Sequence, residues 1–331
     1  MASLLGLLLF SWLLHSVLYL PFIRLLYKWR FQRLNQTTRD AFNKRTPIFD
    51  RFHRAKAGTP VGGGLLIVLL TSILFPLILV GMRYFWVPIT SVYPMAAEIK
   101  IVLFSFISFA LLGLVDDIKK TFAWLPSKFL GLRLRHKLFL EIMLALLISF
   151  WMLFDLKIDI FHVPFIGVFH MGLWYIPFAV FVIVAFANAF NITDGLDGLA
   201  SGVFMIALGA LWIISASILD TPLSVFIALL LGGVIAFLYF NVHPARIFLG
   251  DVGALSFGAT LAVVGLMLGK TAALAGIGAI FVIEVASSLV QLLSKKFMGR
   301  KAFAAAPLHL WLQYKGWPES KIVMRFWIIA I

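Results

Sequence analysis

The sequence predicts an all-α, polytopic integral membrane protein with about ten transmembrane helices. Hydrophobic residues make up 62% of the 331 residues, charged residues only 13%, and the mean hydropathy is +1.03. A soluble domain of this length has too little interior to hide so much apolar surface, so lipid must be the solvent for most of it. The chain has no Cys, which excludes a disulfide framework, a thiolate metal site and a cysteine nucleophile.

Ten apolar runs are candidate helices, because a membrane span needs about 20 mostly apolar residues. The pair Gly269-Lys270 is the only interruption in a run too long for one crossing, so we divide that run there. The last run stops at the chain end after about ten residues, which is consistent with a truncated last helix in a single transmembrane domain over residues 1–331. The runs are approximately Ala2–Leu20, Gly62–Val80, Ile101–Val115, Leu138–Phe154, Leu173–Phe190, Leu199–Leu219, Leu223–Phe240, Val252–Leu268, Thr271–Leu293 and Ile322–Ile331.

The distribution of Lys and Arg predicts the orientation of these runs. The loops after the first, third, seventh and ninth runs hold 23 of the 28 Lys and Arg residues, whereas the opposite loops hold only Arg83, Lys100, Lys157 and Lys270. Cytoplasmic loops carry the excess of Lys and Arg, so the basic face is predicted to be cytoplasmic, in a multi-pass protein of the cell inner (plasma) membrane. Because the basic residues alternate with apolar segments, the net charge of +14 does not indicate a nucleic-acid partner.

Four polar clusters fall at the cytoplasmic ends of these runs. They are Asp116-Asp117 after the third run, residues 188–198 between the fifth and sixth, Asp251 at the start of the eighth, and a last loop with His309. An Asp at a helix centre in lipid costs roughly 2.5 to 3.5 kcal/mol, so carboxylates at such rims usually have a function. Carboxylates on one face, surrounded by basic loops, indicate a metal-assisted site for a phosphate-bearing substrate.

Each cluster also has a structural interpretation. Adjacent carboxylates need a proton or a cation, and the Lys119-Lys120 that follows the aspartate pair could neutralise it as a surface ion-pair cluster. Asp194 and Asp197 suit tight turns and helix caps, although free N–H groups at a helix start also bind anions. Asp251 could be an N-cap or a ligand for Mg²⁺, the hard cation that carboxylates favour.

Two ionisable residues stay open between structural and catalytic roles. A lone His309 in a membrane loop is more often structural than catalytic. Glu284 lies inside the ninth run and should face protein or water rather than lipid. Glu284 is also the one residue that fits a proton relay, as in a transporter or flippase, but the aspartates lie at helix ends instead. We therefore keep the transporter as a remote alternative.

Several motifs occur together in a fixed order, and they carry a resemblance. They are Lys56-Ala57-Gly58-Thr59-Pro60, Asp116-Asp117, Asn188 through Ala200, Phe240-Asn241, Phe248-Leu249-Gly250-Asp251, Gly316-Trp317-Pro318-Glu319 and Arg325-Phe326-Trp327. From about Phe52 to the C-terminus the chain resembles the polyprenyl-phosphate N-acetylhexosamine-1-phosphate transferase superfamily, of the glycosyltransferase family 4 type. The last two motifs indicate its muramoyl branch rather than its GlcNAc-1-phosphate branch.

The resemblance implies a ten-helix bundle with a cytoplasmic active-site cleft. The implied reaction is the Mg²⁺-dependent transfer of phospho-N-acetylmuramoyl-pentapeptide from its UDP donor to undecaprenyl phosphate, which releases UMP. The alternative is transfer of GlcNAc-1-phosphate, or of another UDP-linked amino sugar, to a polyprenyl phosphate for another lipid-linked glycan. The implied partners are the UDP-linked donor and undecaprenyl phosphate in the membrane, with a homodimer as one candidate assembly.

The same resemblance implies roles for individual residues. Asp251 would bind Mg²⁺, Asp116 and Asp117 would deprotonate or position the lipid phosphate, and Lys137 and His309 would balance phosphate charge. The remaining predicted substrate-binding residues are Lys56, Thr59, Asn188, Asn191, Asp194, Gly195, Asp197, Asn241 and Phe248.

The chain departs from the pattern of the superfamily in two places. The superfamily has three consecutive His where this chain has His309 followed by Leu310 and Trp311. It has Lys-Gly-Leu where this chain has Leu130-Gly131-Leu132. These departures leave the exact donor sugar and peptide open, whereas the carboxylates are all present.

Overall fold

A computed structural model describes residues 2–32, 50, 52, 56–122, 132–163 and 166–331, and these residues are nearly all helical. The predicted all-α class is confirmed. One antiparallel hairpin, β1 (Ile160–Val163) and β2 (Gly167–His170), lies between the fourth and fifth described helices. The helices are α1 Ala2–Lys28, α2 Gly63–Tyr84, α3 Met95–Phe122, α4 Leu134–Phe154, α5 Tyr175–Thr193, α6 Leu199–Ser217, α7 Thr221–Asn241, α8 Gly250–Met267, α9 Thr271–Ile277, α10 Ala279–Phe297, α11 Leu308–Tyr314 and α12 Glu319–Ala330.

The described residues contain eight helices that are long and apolar enough to cross a membrane, or nine if α9 and α10 count as one bent span. The protein is therefore an integral membrane protein, although the predicted count of ten is not confirmed. The predicted interruption at Gly269-Lys270 is confirmed, because it separates α8 from α9. The tenth predicted run forms only the 12-residue α12, about 18 Å long, which is short of the roughly 30 Å of a bilayer core.

The prediction of one continuous helix over Thr271–Leu293 is wrong. The chain bends by 82° between α9 and α10, at Gly278. A Cβ at this position would lie 2.7 Å from Cε1 of Phe186, so the break packs directly against α5. Hydropathy does not register such a break, because both halves are apolar and glycine costs only about 1 kcal/mol in a helix.

The core is built around α8, in which every residue is buried. Glycines bring the neighbouring helices into close contact with α8: a Cβ at Gly113 of α3 would lie 2.1 Å from the carbonyl oxygen of Asp251, and one at Gly64 of α2 would lie 2.4 Å from Cα of Gly253. Gly258 of α8 lies equally close to the backbone of α5. Small residues allow backbones of membrane helices to approach in this way. The start of α8 is therefore held tightly against the end of α3.

Candidate active site

Five charged side chains form a compact cluster where α3 ends and where α4 and α8 begin. Nζ of Lys120 lies 2.9 Å from Oδ2 of Asp116 and 2.7 Å from Oδ2 of Asp251. Nζ of Lys137 lies 3.1 Å and 2.8 Å from the same two oxygens. We call Asp116, Asp117, Lys120, Lys137 and Asp251 the carboxylate–lysine cluster. It joins three of the predicted catalytic residues with one predicted to bind phosphate.

The local sequence explains part of this geometry. Asp116 and Lys120 are four residues apart in α3, so their side chains share one helix face. The backbone N–H of Leu132 donates to Oδ1 of Asp116 at 2.7 Å, which connects the segment before α4 to the cluster. Asp251 is the second residue of α8 and Leu249 is the N-cap, so the N-cap interpretation of Asp251 is wrong. Its carboxylate makes ion pairs instead.

Asp117 connects α3 to the start of α8. Its Oδ2 accepts the backbone N–H of Val252 at 3.0 Å, one of the N–H groups that a helix start leaves without a helical partner. Gly250, which precedes Asp251, has φ +80°, and a Cβ there would lie 2.6 Å from the same oxygen. A glycine is therefore required at this turn, because it satisfies both the backbone angle and the contact with Asp117.

The cluster is deeply buried. Asp116, Asp117 and Asp251 are 2%, 0% and 6% exposed, and the ammonium groups of Lys120 and Lys137 compensate the carboxylates of Asp116 and Asp251. Burying a charge is costly unless it is compensated in this way. The carboxylate oxygens are also the ligand type that Mg²⁺ prefers.

A second cluster surrounds Asp197, in the loop between α5 and α6. Nζ of Lys56 lies 2.7 Å from Oδ1 of Asp197 and 2.6 Å from Oε1 of Glu319. Oδ2 of Asp197 lies 3.0 Å from Nδ1 of His243 and accepts the backbone N–H of Ala245 at 3.1 Å. Residues Lys56, Asp197, His243 and Glu319 form what we call the Asp197 cluster.

The charge state of Asp197 follows from these contacts. Burial raises the pKa of its carboxyl group, but the ammonium of Lys56 and the hydrogen bonds from Lys56, Ala245 and His243 outweigh burial and hold the pKa below its ordinary value of 3.8. The N-cap of α6 is Gly198, with φ +76°, so Asp197 is not the cap that its position in the sequence allowed.

Asp197, His243 and Glu319 bring potential metal-ligand atoms within 4.8 Å of one another. However, the ammonium group of Lys56 contacts both carboxylates of this group. The Lys56 side chain therefore already supplies a positive charge to this group, and a divalent ion would have to compete with it. Ammonium groups also contact the carboxylates of the carboxylate–lysine cluster, but its potential ligand atoms are all carboxylate oxygens, whereas the Asp197 group includes an imidazole. The donor set of the carboxylate–lysine cluster therefore suits Mg²⁺ better.

Asn241 supports the loop beneath the Asp197 cluster. Its Oδ1 accepts from the backbone N–H of Gly198 at 3.1 Å and from Oγ of Ser201 at 2.9 Å, and its Nδ2 donates to the carbonyl of Ile247 at 3.0 Å. Asn241 is only 2% exposed. Asn241, which was predicted to contact the nucleotide, thus connects the start of α6 to the loop before α8 and holds both in place.

His309 lies at the same end of the molecule and is 1% exposed. Its Nδ1 lies 3.0 Å from Oε2 of Glu284 in α10. A Cβ at Gly195 would lie 2.4 Å from Nε2 of His309, so the ring faces the loop that holds Asp194 and Asp197. Glu284 thus contacts a site residue, which favours a role in the site over the proton relay of a transporter.

Asn188 faces α4 rather than the loop. Its Nδ2 donates a short hydrogen bond to Oε2 of Glu141 and a second one, at 2.9 Å, to the carbonyl of Val184. Glu141 lies one turn after Lys137 in α4 and is fully buried. Asn188 also lines an apolar groove of about 470 Å³ between α4, α5 and Val285 of α10. It lies at the polar end of that groove, beside the carboxylate–lysine cluster.

The other predicted residues lie around these clusters. Thr59, Asn191, Asp194 and Phe248 are half-buried. The backbone of Phe248 connects the loop before α8 to the entry of α2, because its N–H donates to the carbonyl of Pro60 at 2.8 Å. The departure at Leu130-Gly131 falls outside the described residues.

Four charged residues of the site were not predicted as site residues. Lys120 was considered only as a neutralising surface charge, although its spacing from Asp116 indicated a shared helix face. Glu141 is a charge inside an apolar run, which was a usable signal. His243 had no such signal. Glu319 lies in the motif Gly316-Trp317-Pro318-Glu319, but only the fold shows that it belongs beside Lys56 and Asp197.

The comparisons with known proteins agree with this geometry. Residues 99–269 match the family model described as glycosyl transferase family 4. A phospho-N-acetylmuramoyl-pentapeptide-transferase of Caldanaerobacter subterraneus is 36% identical over 282 residues, which cover 84% of this chain and 83% of the relative. Proteins with the same name from Clostridium perfringens and Borrelia hermsii are each 37% identical, over 84% and 83% of this chain and 83% and 80% of the relatives.

The match to the family model includes α3 through α8, and with them the carboxylate–lysine cluster. The similarity to the relatives extends over at least four-fifths of each chain. The chain therefore belongs to glycosyl transferase family 4 and, within it, to the phospho-N-acetylmuramoyl-pentapeptide transferases.

Proposed function

We propose that this protein transfers phospho-N-acetylmuramoyl-pentapeptide from its UDP-linked donor to undecaprenyl phosphate, as one transmembrane domain over residues 1–331. The product is the first lipid-linked intermediate of peptidoglycan, and UMP is released. The names of the relatives support the substrates. The carboxylate–lysine cluster is the observation that carries the chemistry.

The reaction brings two anions together. An oxygen of the lipid phosphate bonds to the phosphorus that carries the sugar, and the bond from that phosphorus to the oxygen of the UMP group breaks. Positioning and electrostatic stabilisation carry most of the catalysis of such transfers. Lys120 and Lys137 place two ammonium groups between the carboxylates of Asp116 and Asp251. In the proposed mechanism they lower the repulsion between donor and acceptor.

Mg²⁺ is the cofactor of this proposal, and Asp251 is the residue that would hold it. The three buried carboxylates of the carboxylate–lysine cluster offer oxygen ligands, which suit a hard cation. When bound, Mg²⁺ acts as a Lewis acid that withdraws charge from phosphate oxygens. Asp116 and Asp117 either accept the proton of the lipid phosphate or hold that phosphate in position.

The remaining residues divide by location. The Asp197 cluster, with Asn191, Asp194, Gly195 and Phe248, holds the nucleotide end of the donor, supported from beneath by Asn241. Asn188 lies where the apolar groove meets the cluster, the position where the acceptor's phosphate would enter from lipid. Lys56 and Thr59 belong to the segment that leads into α2.

Purified protein with undecaprenyl phosphate and Mg²⁺ tests the proposal. We expect UMP release with UDP-N-acetylmuramoyl-pentapeptide, and much less with UDP-GlcNAc or other UDP-amino sugars. The no-lipid reaction is the control for simple hydrolysis of the donor. UMP release with UDP-GlcNAc alone would replace the proposed donor.

The proposal also places the active site on the cytoplasmic side of the plasma membrane. Single-Cys labelling is clean because the chain has no Cys of its own. The variant Arg246→Cys, in the loop before α8, should react only with membrane-permeant thiol reagents in intact cells. The variant Lys157→Cys should also react with impermeant reagents. Labelling of the Arg246 position from outside would refute the orientation.

A further inference from the structure

Glu284 is a buried carboxylate in the second turn of α10, and the proposed reaction assigns it no role. It is 0% exposed. An ionised carboxylate buried in this way needs hydrogen-bond donors or a cation to offset the loss of water. The partners that supply them therefore indicate what Glu284 does.

Both carboxylate oxygens of Glu284 contact one residue, His309. Oε1 accepts the backbone N–H of His309 at 3.0 Å, and Oε2 lies 3.0 Å from its ring Nδ1. The hydrogen bond to the backbone fixes the position of the His309 main chain, and the hydrogen bond to the ring fixes the orientation of the imidazole. Next to it, Oγ of Ser287 accepts the N–H of Leu308 at 3.1 Å, so α10 holds the start of α11 at two points.

These contacts determine which ring nitrogen faces the site. An ionised carboxylate only accepts hydrogen bonds, so an ionised Glu284 requires Nδ1 of His309 to be the donor of the 3.0 Å contact. The other nitrogen, Nε2, lies against Gly195, where a Cβ would approach to 2.4 Å. A glycine at position 195 therefore leaves Nε2 directed at the loop between Asp194 and Asp197.

We propose that Glu284 is a positioning residue that holds His309 with its Nδ1 protonated and its Nε2 directed at the Asp194–Asp197 loop. The inference rests on the proposed function in one respect, since that function assigns this loop to the part of the site that holds the nucleotide end of the donor. A neighbouring carboxylate commonly sets the tautomer and the orientation of a functional histidine. Glu284 acts through His309 and does not itself contact substrate.

A spectroscopic experiment tests the geometry without any catalytic assay. In protein labelled with ¹⁵N-histidine, the His309 signals are assigned by their loss in His309→Ala. We expect Nδ1 of His309 to be protonated in the wild type and to lose that preference in Glu284→Gln, whose amide can donate to Nδ1. An unprotonated Nδ1 in the wild type would overturn the proposal, whatever the protein transfers.

A double-mutant cycle tests the consequence for turnover. Glu284→Gln should lower kcat at least about tenfold, as loss of the orienting carboxylate does in catalytic triads, with little change in the KM for the donor. The same substitution should have no further effect in the His309→Ala background, because its effect passes through the ring. Independent, multiplying losses would show that Glu284 does not act through His309.

Ser287→Ala is the matched control. It removes the hydrogen bond from the N–H of Leu308 and the one that the Ser287 hydroxyl donates to the backbone carbonyl of Glu284 at 2.8 Å. It leaves both bonds between the Glu284 carboxylate and His309. We expect activity close to that of the wild type. A loss as large as that of Glu284→Gln would mean that only the packing of α11 on α10 matters. If the wild type shows no transfer at all, the proposed function fails, while the nitrogen signals still decide the role of Glu284.

Discussion

Gly113 is the point where a single methyl group should separate the two halves of the carboxylate–lysine cluster. A Cβ at this position would lie 2.1 Å from the carbonyl oxygen of Asp251, 2.4 Å from its carbonyl carbon and 2.6 Å from N of Val252. Ordinary contacts begin near 3.4 Å, so Gly113→Ala requires α3 and α8 to move apart by about 1.3 Å. All three atoms are backbone, and α8 is buried on every side, so no side chain can rotate away to make room.

The displacement should affect activity more than folding. A misplacement of about 1 Å in a catalytic geometry can cost about 100-fold in rate, and overpacking of this kind costs roughly 1 to 3 kcal/mol of stability. We expect Gly113→Ala to insert and fold with a lower melting temperature, and to release UMP at about one hundredth of the wild-type rate.

Gly209→Ala in α6 is the control, because a Cβ there has no atom within 4 Å. An alanine in place of a helical glycine without a clash adds about 0.4 to 1 kcal/mol of stability, so this variant should melt at or above the wild-type temperature with full activity. Measured in parallel by thermal unfolding in detergent and by UMP release, the two variants should differ in both readouts. Near-wild-type activity of Gly113→Ala would refute the argument that the approach of α3 to α8 sets the site.

Three further predictions concern the charges and the altered histidine segment. Asp251→Asn should abolish UMP release at every Mg²⁺ concentration while the protein stays folded, with kcat and kcat/KM falling together. Activity above about a tenth of wild type would show that the Asp251 carboxylate has only a structural role. Lys56→Met should lower the melting temperature at pH 7, and the difference should shrink as the pH falls below about 4. The sign follows because the pKa of Asp197 is lower in the folded state than in the unfolded state. The ion pair therefore stabilises the fold above the unfolded-state pKa, and this stabilisation is lost as the pH falls through the folded-state pKa. A difference in melting temperature that grows in acid would contradict the ion pair. Leu310→His with Trp311→His should change the preference among UDP-amino sugars, and an unchanged preference would show that this departure is neutral.

Much of the fold was predictable because hydropathy is a local property. The runs that became α1 through α8 are each apolar over nearly a full span, and their ends could be placed within several residues. The prediction failed between α9 and α10, where Gly278 packs against Phe186. It also missed α11 and the β-hairpin, since short elements held by tertiary contacts have no long apolar run. Positive charge in alternate loops predicted that Asp116, Asp251 and His309 share one face, and their meeting at one end of the bundle agrees with that.

The sequence by itself determined a membrane-embedded bundle and the kinds of residue at its site, because side-chain polarity and helix length decide what can lie in lipid. Only the tertiary structure decided the partners. Lys120 and Lys137 join Asp116 to Asp251, while Glu284 is paired with His309. The physical reason is that an ion pair depends on distances of about 3 Å between residues far apart in the chain. Those distances follow from the glycine contacts that set how closely the helices pack.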